Sequence, residues 1–380
     1  MIGVKFALCL FKYYPFGGLE QSFLNIAKEA LRQGHEVHVF TRQWTGECPE
    51  GIRVHLIKSR GLTNHARSWN FARELKGHLA NDGFDLVVGF NRMPGLDLYY
   101  CADVCFERQA SRKHSSLYKL TPRYRLFSRM ERAVFAPDSK THIMFISRQA
   151  KEEYQEVYGT PEARFHELPP GLNKERIRSA LNEETRAQVR HELAVSEQDR
   201  LLVMVGSDFK RKGVDRAIRA VAALPVELRR HVKLAVIGKG KSEPLQKLAQ
   251  ELQVGDRVLF LGPQQNVPRY LAAADMLLHL ALSETAGNAI VEGLVAGLPV
   301  LVTRSCGFYF HVQEAQAGMV VGDPVFDQAQ FNQQLKDAVS DQERLDVWGR
   351  NAAAYSDAVD LYSRPQQAVK IMCALSVAKK

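Results

Sequence analysis

The sequence predicts an α/β protein with two doubly wound, Rossmann-like domains, each built on a parallel sheet. The chain of 380 residues is longer than one hydrophobic core usually supports. Strand-sized apolar runs alternate with amphipathic helical segments, a pattern typical of parallel sheets covered on both faces. The pattern starts twice, on either side of "ELPPGLN" (167–173), where two prolines and a glycine interrupt regular structure.

The elements follow in order along each half of the chain. The first half contains the runs VKFALCLF (4–11), EVHVFT (36–41), RVHLI (53–57), DLVVGF (85–90), LDLYYCA (96–102) and THIMFIS (141–147). Between the first two runs, the segment 19–34 has helical periodicity and ends at a glycine, a common helix C-cap. The second half contains RLLVMVGS (200–207), VKLAVIG (232–238), VLFLG (258–262), MLLHLA (276–281) and PVLVT (299–303). We predict domains at 1–168 and 169–360, followed by a C-terminal helix within 361–380.

Composition limits the classes of function. The sequence is 46% hydrophobic and 24% charged, which is typical of a folded globular protein, and no apolar run reaches the length of a membrane span. The N-terminal segment has the pattern of a strand, not of a signal peptide. Six scattered cysteines lack the paired spacing of a zinc site, which favours reduced thiols and the cytoplasm. The net charge of +9 predicts an anionic partner: nucleic acid, a phosphorylated substrate or a membrane surface.

Two segments that follow strands have the features of an anion site. Ligands of doubly wound domains bind beyond the carboxyl ends of the strands, so we expect the active site there, in a cleft between the two domains. Gly17 and Gly18 follow the first strand, where backbone without Cβ atoms can approach an anion at a helix N-terminus. An ordinary strand-to-helix turn is the alternative. The GxGxxG fingerprint is absent, which argues against NAD or FAD.

A second segment, "GSDFKRKGVDR" (206–216), follows the first strand of the second half. Its cations Lys210, Arg211 and Lys212 lie just before a helix, where they could neutralise a diphosphate leaving group. A solvated basic turn is the alternative interpretation. The position at the functional end of a strand favours the phosphate role.

The stretch "SETAGNAIVEGLVAG" (283–297) carries two glutamates eight positions apart. We place Glu284 in a loop and the start of a helix near Gly287, with Glu292 inside the helix. Carboxylates here could bind sugar and ribose hydroxyls, and the N–H groups around Gly287, Asn288 and Ala289 could bind a phosphate. A helix-start acid is the alternative for Glu284, and Glu292 needs a partner because an unpaired buried carboxylate is costly.

This Glu-x7-Glu pattern resembles the signature of the family 4 retaining glycosyltransferases, whose GT-B architecture consists of two Rossmann-like domains facing a cleft. Further segments agree in order along residues 1 to about 365: FKYYPFGG, VGFNRMPGLD, CADVC, LPPG and GSDFKRKGVDR. Together they are similar to the members of the family that transfer glucose from UDP-glucose to a heptose of the lipopolysaccharide inner core. The resemblance therefore implies UDP-glucose as donor substrate, no cofactor, and a phosphorylated inner-core acceptor.

The resemblance also implies roles for particular residues. Glu292 would bind the uridine ribose and Glu284 the donor sugar, with the backbone of Thr285, Ala286, Gly287, Asn288 and Ala289 on the phosphates. Arg211 and Lys212 would hold the diphosphate, Gly17 and Gly18 would close over it, and Arg176 would reach the donor. Many family members have an arginine where this chain has Ser207, so the phosphate role rests more heavily on Arg211.

Catalysis is expected to involve Asp103 and Glu284. By the resemblance, Asp103 would contact the donor sugar near the reacting centre. Retention in this family is usually explained by front-face attack assisted by the leaving phosphate, and Asp103 is the only reserve nucleophile. No Asp-x-Asp motif for a diphosphate-bound metal occurs, so we expect metal-independent catalysis. The C-terminal helix would return to the first domain, as in relatives of this architecture.

Residues 106–132, here named the basic segment, carry eight lysines and arginines against two glutamates. Aromatic and aliphatic residues are interleaved with the cations, which favours a segment lying on the anionic inner membrane. An amphipathic helix packed on the first domain is one alternative, and RNA binding is a weaker one. The cations are Arg108, Arg112, Lys113, Lys119, Arg123, Arg125, Arg129 and Arg132.

These observations favour a cytoplasmic, peripherally membrane-associated glycosyltransferase that does not bind nucleic acid. The alternatives are a relative that uses another UDP-sugar such as a hexosamine, a nucleotide-sugar epimerase, and a basic RNA-binding α/β protein. An epimerase would act without an acceptor, and an RNA-binding protein would tolerate the loss of the Glu284 carboxylate. Sequence alone does not fix the donor sugar or the acceptor position.

Overall fold

The structure is a computed structural model that describes residues 3–15, 17–113, 115–322 and 325–379, without the side chains of residues 81, 113 and 116. The chain forms two compact units. Unit 1 is Met1–Gly171 with Ser363–Lys380, and unit 2 is Leu172–Tyr362. The division predicted from sequence falls after residues 168 and 360.

The described part of unit 1 contains a seven-stranded parallel sheet in the order β3-β2-β1-β4-β5-β6-β7. The strands are β1 (Lys5–Cys9), β2 (Glu36–Thr41), β3 (Ile52–Leu56), β4 (Leu86–Gly89), β5 (Leu98–Cys101), β6 (His142–Phe145) and β7 (Phe165–Glu167). The central strands are buried on both faces, which is why their sequences show no polar alternation. The strand order reverses between β1 and β4, so the loops after these strands open at the usual binding edge.

The helices of unit 1 cover this sheet. They are α1 (Gly18–Arg32), α2 (Asn64–Asn81), α3 (Phe106–Lys113), α4 (Pro122–Phe135), α5 (Arg148–Tyr158) and α16 (Arg364–Lys379). The C-terminal helix α16 packs against α1. Its buried Arg364 donates a hydrogen bond from Nε to the carbonyl of Pro169 at 2.9 Å. The last helix of the chain therefore belongs to the fold of unit 1.

The described part of unit 2 contains a six-stranded parallel sheet in the order β10-β9-β8-β11-β12-β13. The strands are β8 (Arg200–Val205), β9 (Val232–Ile237), β10 (Val258–Gly262), β11 (Met276–His279), β12 (Val300–Thr303) and β13 (Gly318–Val321). The helices are α6 (Lys174–Arg178), α7 (Glu183–Glu192), α8 (Val214–Ala222), α9 (Val226–Arg229), α10 (Glu243–Glu251), α11 (Val267–Ala273), α12 (Asn288–Val295), α13 (Tyr309–Ala315), α14 (Gln328–Ser340) and α15 (Gln342–Ala358). Here the order reverses between β8 and β11.

The predicted fold class is confirmed: each unit is a doubly wound α/β domain with a parallel sheet. Among the helices of the described ranges, none has both the length and the apolar character that crossing a bilayer requires. The six cysteines all lie in described ranges, and their thiols are free.

Candidate active site

In unit 2, the loops after β8 and β11 lie side by side. The two strands pair in register, with Leu202 opposite Met276 and Val203 opposite Leu277. The N–H of Leu282 donates to the carbonyl of Arg211 at 2.8 Å, which joins the loops beyond the strand ends. The topology therefore brings together the basic turn (residues 210–212) and the loop that contains Glu284. The two segments are about 70 residues apart in sequence.

Glu284 forms ion pairs with two of the three cations of the basic turn, Arg211 and Lys212. The ammonium nitrogen of Lys212 lies 2.7 Å from Oε2 of Glu284, and Arg211 contacts the same oxygen. Arg211 also donates to the carbonyl of Ser283 at 3.0 Å. Burial acts to raise the pKa of Glu284, but Lys212 and Arg211 outweigh it and hold that pKa below its usual value. Glu284 is therefore charged near neutral pH, and together with Asp208, which lies 3.5 Å from Nε of Arg211, it balances the two cations.

The backbone of the basic turn depends on two glycines. Gly206 has φ of +147°, and a Cβ on it would lie 2.5 Å from Cε of Lys212. Gly213, with φ of +68°, is the N-cap of α8, and a Cβ there would overlap the carbonyl oxygen of Leu280. The chain can pass closely over the strand ends only because both positions lack a side chain. Lys210, the third cation of the turn, is exposed and does not contact Glu284 in the described structure.

Residues 284–289 lead from the ion pairs to the start of α12. The N–H of Glu284 donates to the carbonyl of Ser305 at 3.1 Å, and the carbonyl of Ala286 accepts from Phe308 at 2.8 Å. Gly287, with φ of +98°, is the N-cap of α12, which begins at Asn288 as the sequence predicts. The first N–H groups of the helix, including those of Asn288 and Ala289, have no preceding turn of carbonyls to bond. Thr285 lies in the same loop.

His279 lies beside this loop, and no sequence motif predicts it as a site residue. It is the last residue of β11 and only 2% exposed, and its Nε2 has no hydrogen-bond partner among the described residues. A Cβ on Gly287 would lie 3.4 Å from that nitrogen. Burial and the neighbouring charge of Lys212 lower the pKa of His279 to about 3, so its imidazole is neutral. Sequence analysis cannot show which histidine lacks a partner.

Glu292 and Arg176 lie on neighbouring helices, since α6 packs against α12. The Arg176 guanidinium donates to the carbonyl of Gln265 at 2.9 Å. Burial raises the pKa of Glu292, and the nearby charge of Arg176 offsets part of this effect. The expected partner of Glu292 is not found: its carboxylate has no hydrogen bond or ion pair in the part of the chain that is described. A partly buried carboxylate in this state is suited to accept hydrogen bonds from ligand hydroxyls.

In unit 1, Gly17 and Gly18 lie at the start of α1, with Gly17 as its N-cap. A Cβ on Gly17 would collide with the carboxylate of Glu20, whereas a Cβ on Gly18 would meet nothing within 4 Å. Burial raises the pKa of Glu20, although its hydrogen bond to Tyr14 acts in the opposite direction. A side chain at residue 17 would therefore require the Glu20 carboxylate to move, whereas a side chain at residue 18 would meet open space.

Asp103 follows β5 at the carboxyl edge of the unit 1 sheet. Its carboxylate accepts a hydrogen bond from the Tyr99 hydroxyl at 3.2 Å and lies 3.8 Å from Nε of Arg92. Arg92 forms a second ion pair with Glu131, whose side chain is completely buried. Neither Arg92 nor Glu131 was expected in the site. Their sequence positions, 39 residues apart, gave no signal of the pairing.

Glu131 connects the basic segment to the Asp103 loop. Its carboxylate accepts the N–H groups of Phe106 at 2.7 Å and Glu107 at 3.0 Å, and so caps the start of α3. It also accepts from the Tyr158 hydroxyl at 2.7 Å. Glu131 is therefore a buried structural residue of the basic segment. Helix α4, which carries it, is partly buried in unit 1.

The basic segment forms α3, a 3₁₀ turn (Ser116–Leu120) and α4. Three of its cations pair with acids: Arg108 with Glu156, Arg112 with Glu153 and Lys119 with Glu107. Two others lie over aromatic rings, Arg123 over Phe127 at 5.9 Å and Arg129 over Trp69 at 4.5 Å. Arg125 and Arg132 are exposed, and the side chain of Lys113 lies outside the described residues.

The chain is similar to known protein families and to curated proteins. Residues 16–176 match the family described as Glycosyltransferase Family 4, and residues 185–355 match Glycosyl transferases group 1. The lipopolysaccharide glucosyltransferase WaaG of Escherichia coli strain K12 is 40% identical over 366 residues, 96% of this chain and 98% of that protein. This chain belongs to the group 1, family 4 glycosyltransferases. The family expected from the sequence motifs is confirmed.

Solved structures of other proteins share the fold. A crystal structure of WaaG superposes with a TM-score of 0.85 at 40% identity and covers 97% of this chain and 99% of its own. Anabaena Alr3699/HepE in complex with UDP-glucose has a TM-score of 0.70 at 18% identity, covering 97% and 99%. Among the described residues of this glycosyltransferase, no group of three histidine, cysteine, aspartate or glutamate side chains could hold a metal ion.

Proposed function

We propose that the protein transfers glucose from UDP-glucose to a heptose of the lipopolysaccharide inner core, with retention at the anomeric carbon. The observation that carries the proposal is the cluster of Glu284, Arg211 and Lys212 at the carboxyl ends of β8 and β11. It occurs in a family member that aligns along nearly its whole length with a lipopolysaccharide glucosyltransferase. A full-length match at this identity favours the same acceptor class.

Unit 2 supplies the donor-binding groups in this proposal. Arg211 and Lys212 bind the diphosphate, and the N–H groups of Asn288 and Ala289 bind its oxygens at the start of α12. Glu292 accepts hydrogen bonds from the ribose, which uses the carboxylate that has no protein partner. Arg176, Thr285, Ala286 and Gly287 complete the donor contacts.

Glu284 has two functions in the proposal. It holds the two cations against each other's repulsion, and it accepts a hydrogen bond from a donor-sugar hydroxyl. A carboxylate offers about four lone-pair sites, so ion pairing with Arg211 and Lys212 leaves acceptor capacity for the sugar. The donor sugar is therefore positioned by the same group that fixes the charges at the phosphate.

In the proposed reaction, the bond between the anomeric carbon and the β-phosphate oxygen breaks, and its electron pair leaves on that oxygen. The acceptor hydroxyl forms the new bond from the same face, and its proton passes to the departing phosphate. Arg211 and Lys212 stabilise the charge that develops on the leaving oxygen, so no metal ion is required. The contact of Asp103 with the donor sugar, and the approach of Gly17 and Gly18 to the diphosphate, remain roles that the family resemblance implies.

We also propose that the enzyme works in the cytoplasm on the inner-membrane surface, through the basic segment. Leu117 and Leu120 of this segment are 73% and 62% exposed, beside its cations, as is typical of an interfacial element. The protein should sediment with vesicles containing phosphatidylglycerol and not with neutral vesicles, and high salt should abolish binding. Equal binding to both vesicle types would contradict the electrostatic basis.

The decisive experiment offers a panel of UDP-sugars with purified core lipopolysaccharide that lacks its outer sugars. We expect mass spectrometry to show one added hexose with UDP-glucose, in the presence or absence of a metal chelator. Addition of a hexosamine would assign a different donor. UDP release that needs no acceptor would instead indicate hydrolase or epimerase chemistry.

A further inference from the structure

Unit 1 contains an apolar groove of about 560 Å³ between one face of α2 and the residues around β4. Its walls include Trp69, Leu75, Leu79, Phe84 and Val87. A volume of this size is within the usual range of small-molecule sites, and apolar lining favours a hydrocarbon ligand. The groove is lined by unit 1 residues alone and contains none of the residues assigned to the transfer reaction.

Two cations lie on the α2 wall of this groove. Arg73 and Lys76 are exposed, and neither forms an ion pair or hydrogen bond with any other described residue. A third cation, Lys379 of α16, is already paired with Asp97 at 2.8 Å. Asp97 also accepts a hydrogen bond from the N–H of Val87 at 2.8 Å, so its carboxylate already has two partners within unit 1. The groove therefore combines an apolar interior with unpaired positive charge.

The groove borders the basic segment at Trp69. Trp69 forms part of its wall, and the guanidinium of Arg129 in α4 lies 4.5 Å from the centre of the Trp69 ring. Helices α2 and α4 pack against each other along this region. A ligand in the groove would therefore lie next to the surface that carries the other cations of unit 1.

We propose that this groove binds one acyl chain of an anionic phospholipid, with the phosphate group held by Arg73 and Lys76. Charge complementarity favours this occupant, because Arg73 and Lys76 can pair with a phosphate group while the apolar walls cover a hydrocarbon chain. The site is distinct from the binding of the basic segment to a membrane surface. It requires insertion of a single chain and does not rest on the proposed donor or acceptor.

The test uses monomeric lysophosphatidylglycerol, a single-chain anionic lipid, below its critical micelle concentration and without vesicles. Calorimetry with the full chain should show saturable binding that is at least about tenfold weaker for lysophosphatidylcholine. The double variant Arg73→Gln/Lys76→Gln should lose about tenfold or more in affinity. Arg67→Gln, an exposed cation on the same helix outside the groove, is the matched control and should bind as the parent does.

Two further variants locate the ligand in the groove. A brominated acyl chain should quench parent tryptophan fluorescence, and Trp69→Phe should remove most of that quenching while leaving the calorimetric affinity nearly unchanged. Ala80→Phe, at an exposed position of the groove wall, should block binding without loss of stability. Equal affinity for both headgroups, or unchanged binding by Ala80→Phe, would overturn the proposal. A concentration-dependent dimer that Ala80→Phe abolishes would assign the groove to a second copy instead, which also overturns it.

Discussion

At the residue scale, the ion pairs of Glu284 explain why a carboxylate lies between Arg211 and Lys212. Arg211 and Lys212 are adjacent in sequence and would repel each other in a partly buried loop. Glu284 compensates this repulsion at a distance of 2.7 Å from Lys212, and its side chain is only 18% exposed. The acid is therefore part of the cation site and not only a contact for the sugar.

We expect Glu284→Gln to reduce kcat/KM by about 10²–10³-fold, because both cations lose the charge that orients them. Since the pKa of Glu284 is lowered in the folded state, its contribution to stability is complete above the unfolded value of 4.5. That contribution is lost as pH falls through the lower folded pKa. Chemical unfolding of parent and variant from pH 7 to pH 3 should show their stability difference shrinking at the acid end.

The control for this experiment is Glu197→Gln, which removes an exposed glutamate of unit 2. It should leave both kcat/KM and the pH dependence of unfolding unchanged. A Glu284→Gln variant with parental turnover would contradict the transferase assignment of this cluster.

A second prediction at this scale concerns Gly206, where a side chain would strike Lys212. Gly206→Ala should weaken UDP binding by about tenfold, because the end of the Lys212 side chain must move away from Glu284 to make room for the new Cβ. Gly262→Ala is the matched control, since Gly262 also has positive φ but open space around its Cβ position. It should lower stability by about 1 kcal/mol and leave UDP affinity unchanged in calorimetry. Equal loss of UDP affinity in both variants would indicate backbone strain as the cause.

At the element scale, helix α12 combines a structural and a functional face. Ile290, Val291 and Leu294 are fully buried in the core of unit 2, whereas Glu292 projects from the same helix without a hydrogen-bond partner among the described residues. Glu292 is therefore an acidic residue of α12 that takes no part in the packing of the helix against the core. Such a residue is expected to reduce stability in exchange for ligand binding.

We expect Glu292→Gln to raise the free energy of unfolding at pH 7 by up to about 1 kcal/mol while weakening UDP binding. The pKa of Glu292 is raised in the folded state, so its charged form is disfavoured there and stability falls as pH rises from 4.5 through the folded pKa. The stability difference between variant and parent should therefore vanish below pH 4.5. This dependence is opposite in sign to that of Glu284→Gln, and measuring both variants together provides an internal control. A Glu292→Gln variant that is less stable than the parent at pH 7 would show that the charged Glu292 carboxylate does not destabilise the folded state.

Some secondary-structure elements could be predicted from the sequence and others could not. Apolar runs located the central strands, and Gly287 marked the start of α12, because burial on both faces and a positive φ leave direct traces in composition. The edge strands β7 and β13 were missed, since they are short and half-buried. The pairings of Arg92 with Glu131 and of Glu284 with Lys212 depend on chain crossovers, so no local pattern could reveal them.

At the scale of the whole molecule, unit 1 is assembled from two distant parts of the chain. Arg364 at the start of α16 is buried and donates to the carbonyl of Pro169, with the Tyr100 hydroxyl also within 3.3 Å of its guanidinium. Val369 and Met372 of the same helix are completely buried. The C-terminal helix is therefore a structural part of unit 1, whose other chain segment ends at Gly171.

We expect Arg364→Ala to lower the stability of unit 1 by about 1–3 kcal/mol, because the Pro169 carbonyl loses its buried donor. Hydrogen exchange followed by mass spectrometry should show faster exchange in peptides covering β1 and β4, with β8 and β11 unchanged. Lys370→Gln, an exposed cation on α16, should leave all four strands at parental rates. Uniformly faster exchange in both units would contradict the assignment of α16 to unit 1 alone.

The position of α16 at the end of the chain has a consequence for biosynthesis. On the ribosome, the strands of unit 1 emerge first, but the helix that covers α1 is translated only after the whole of unit 2. Nascent unit 1 therefore has an uncovered apolar surface until α16 is translated. Unit 2 is contiguous in sequence and can fold as it emerges. Chaperone binding during translation is accordingly expected on the exposed face of α1.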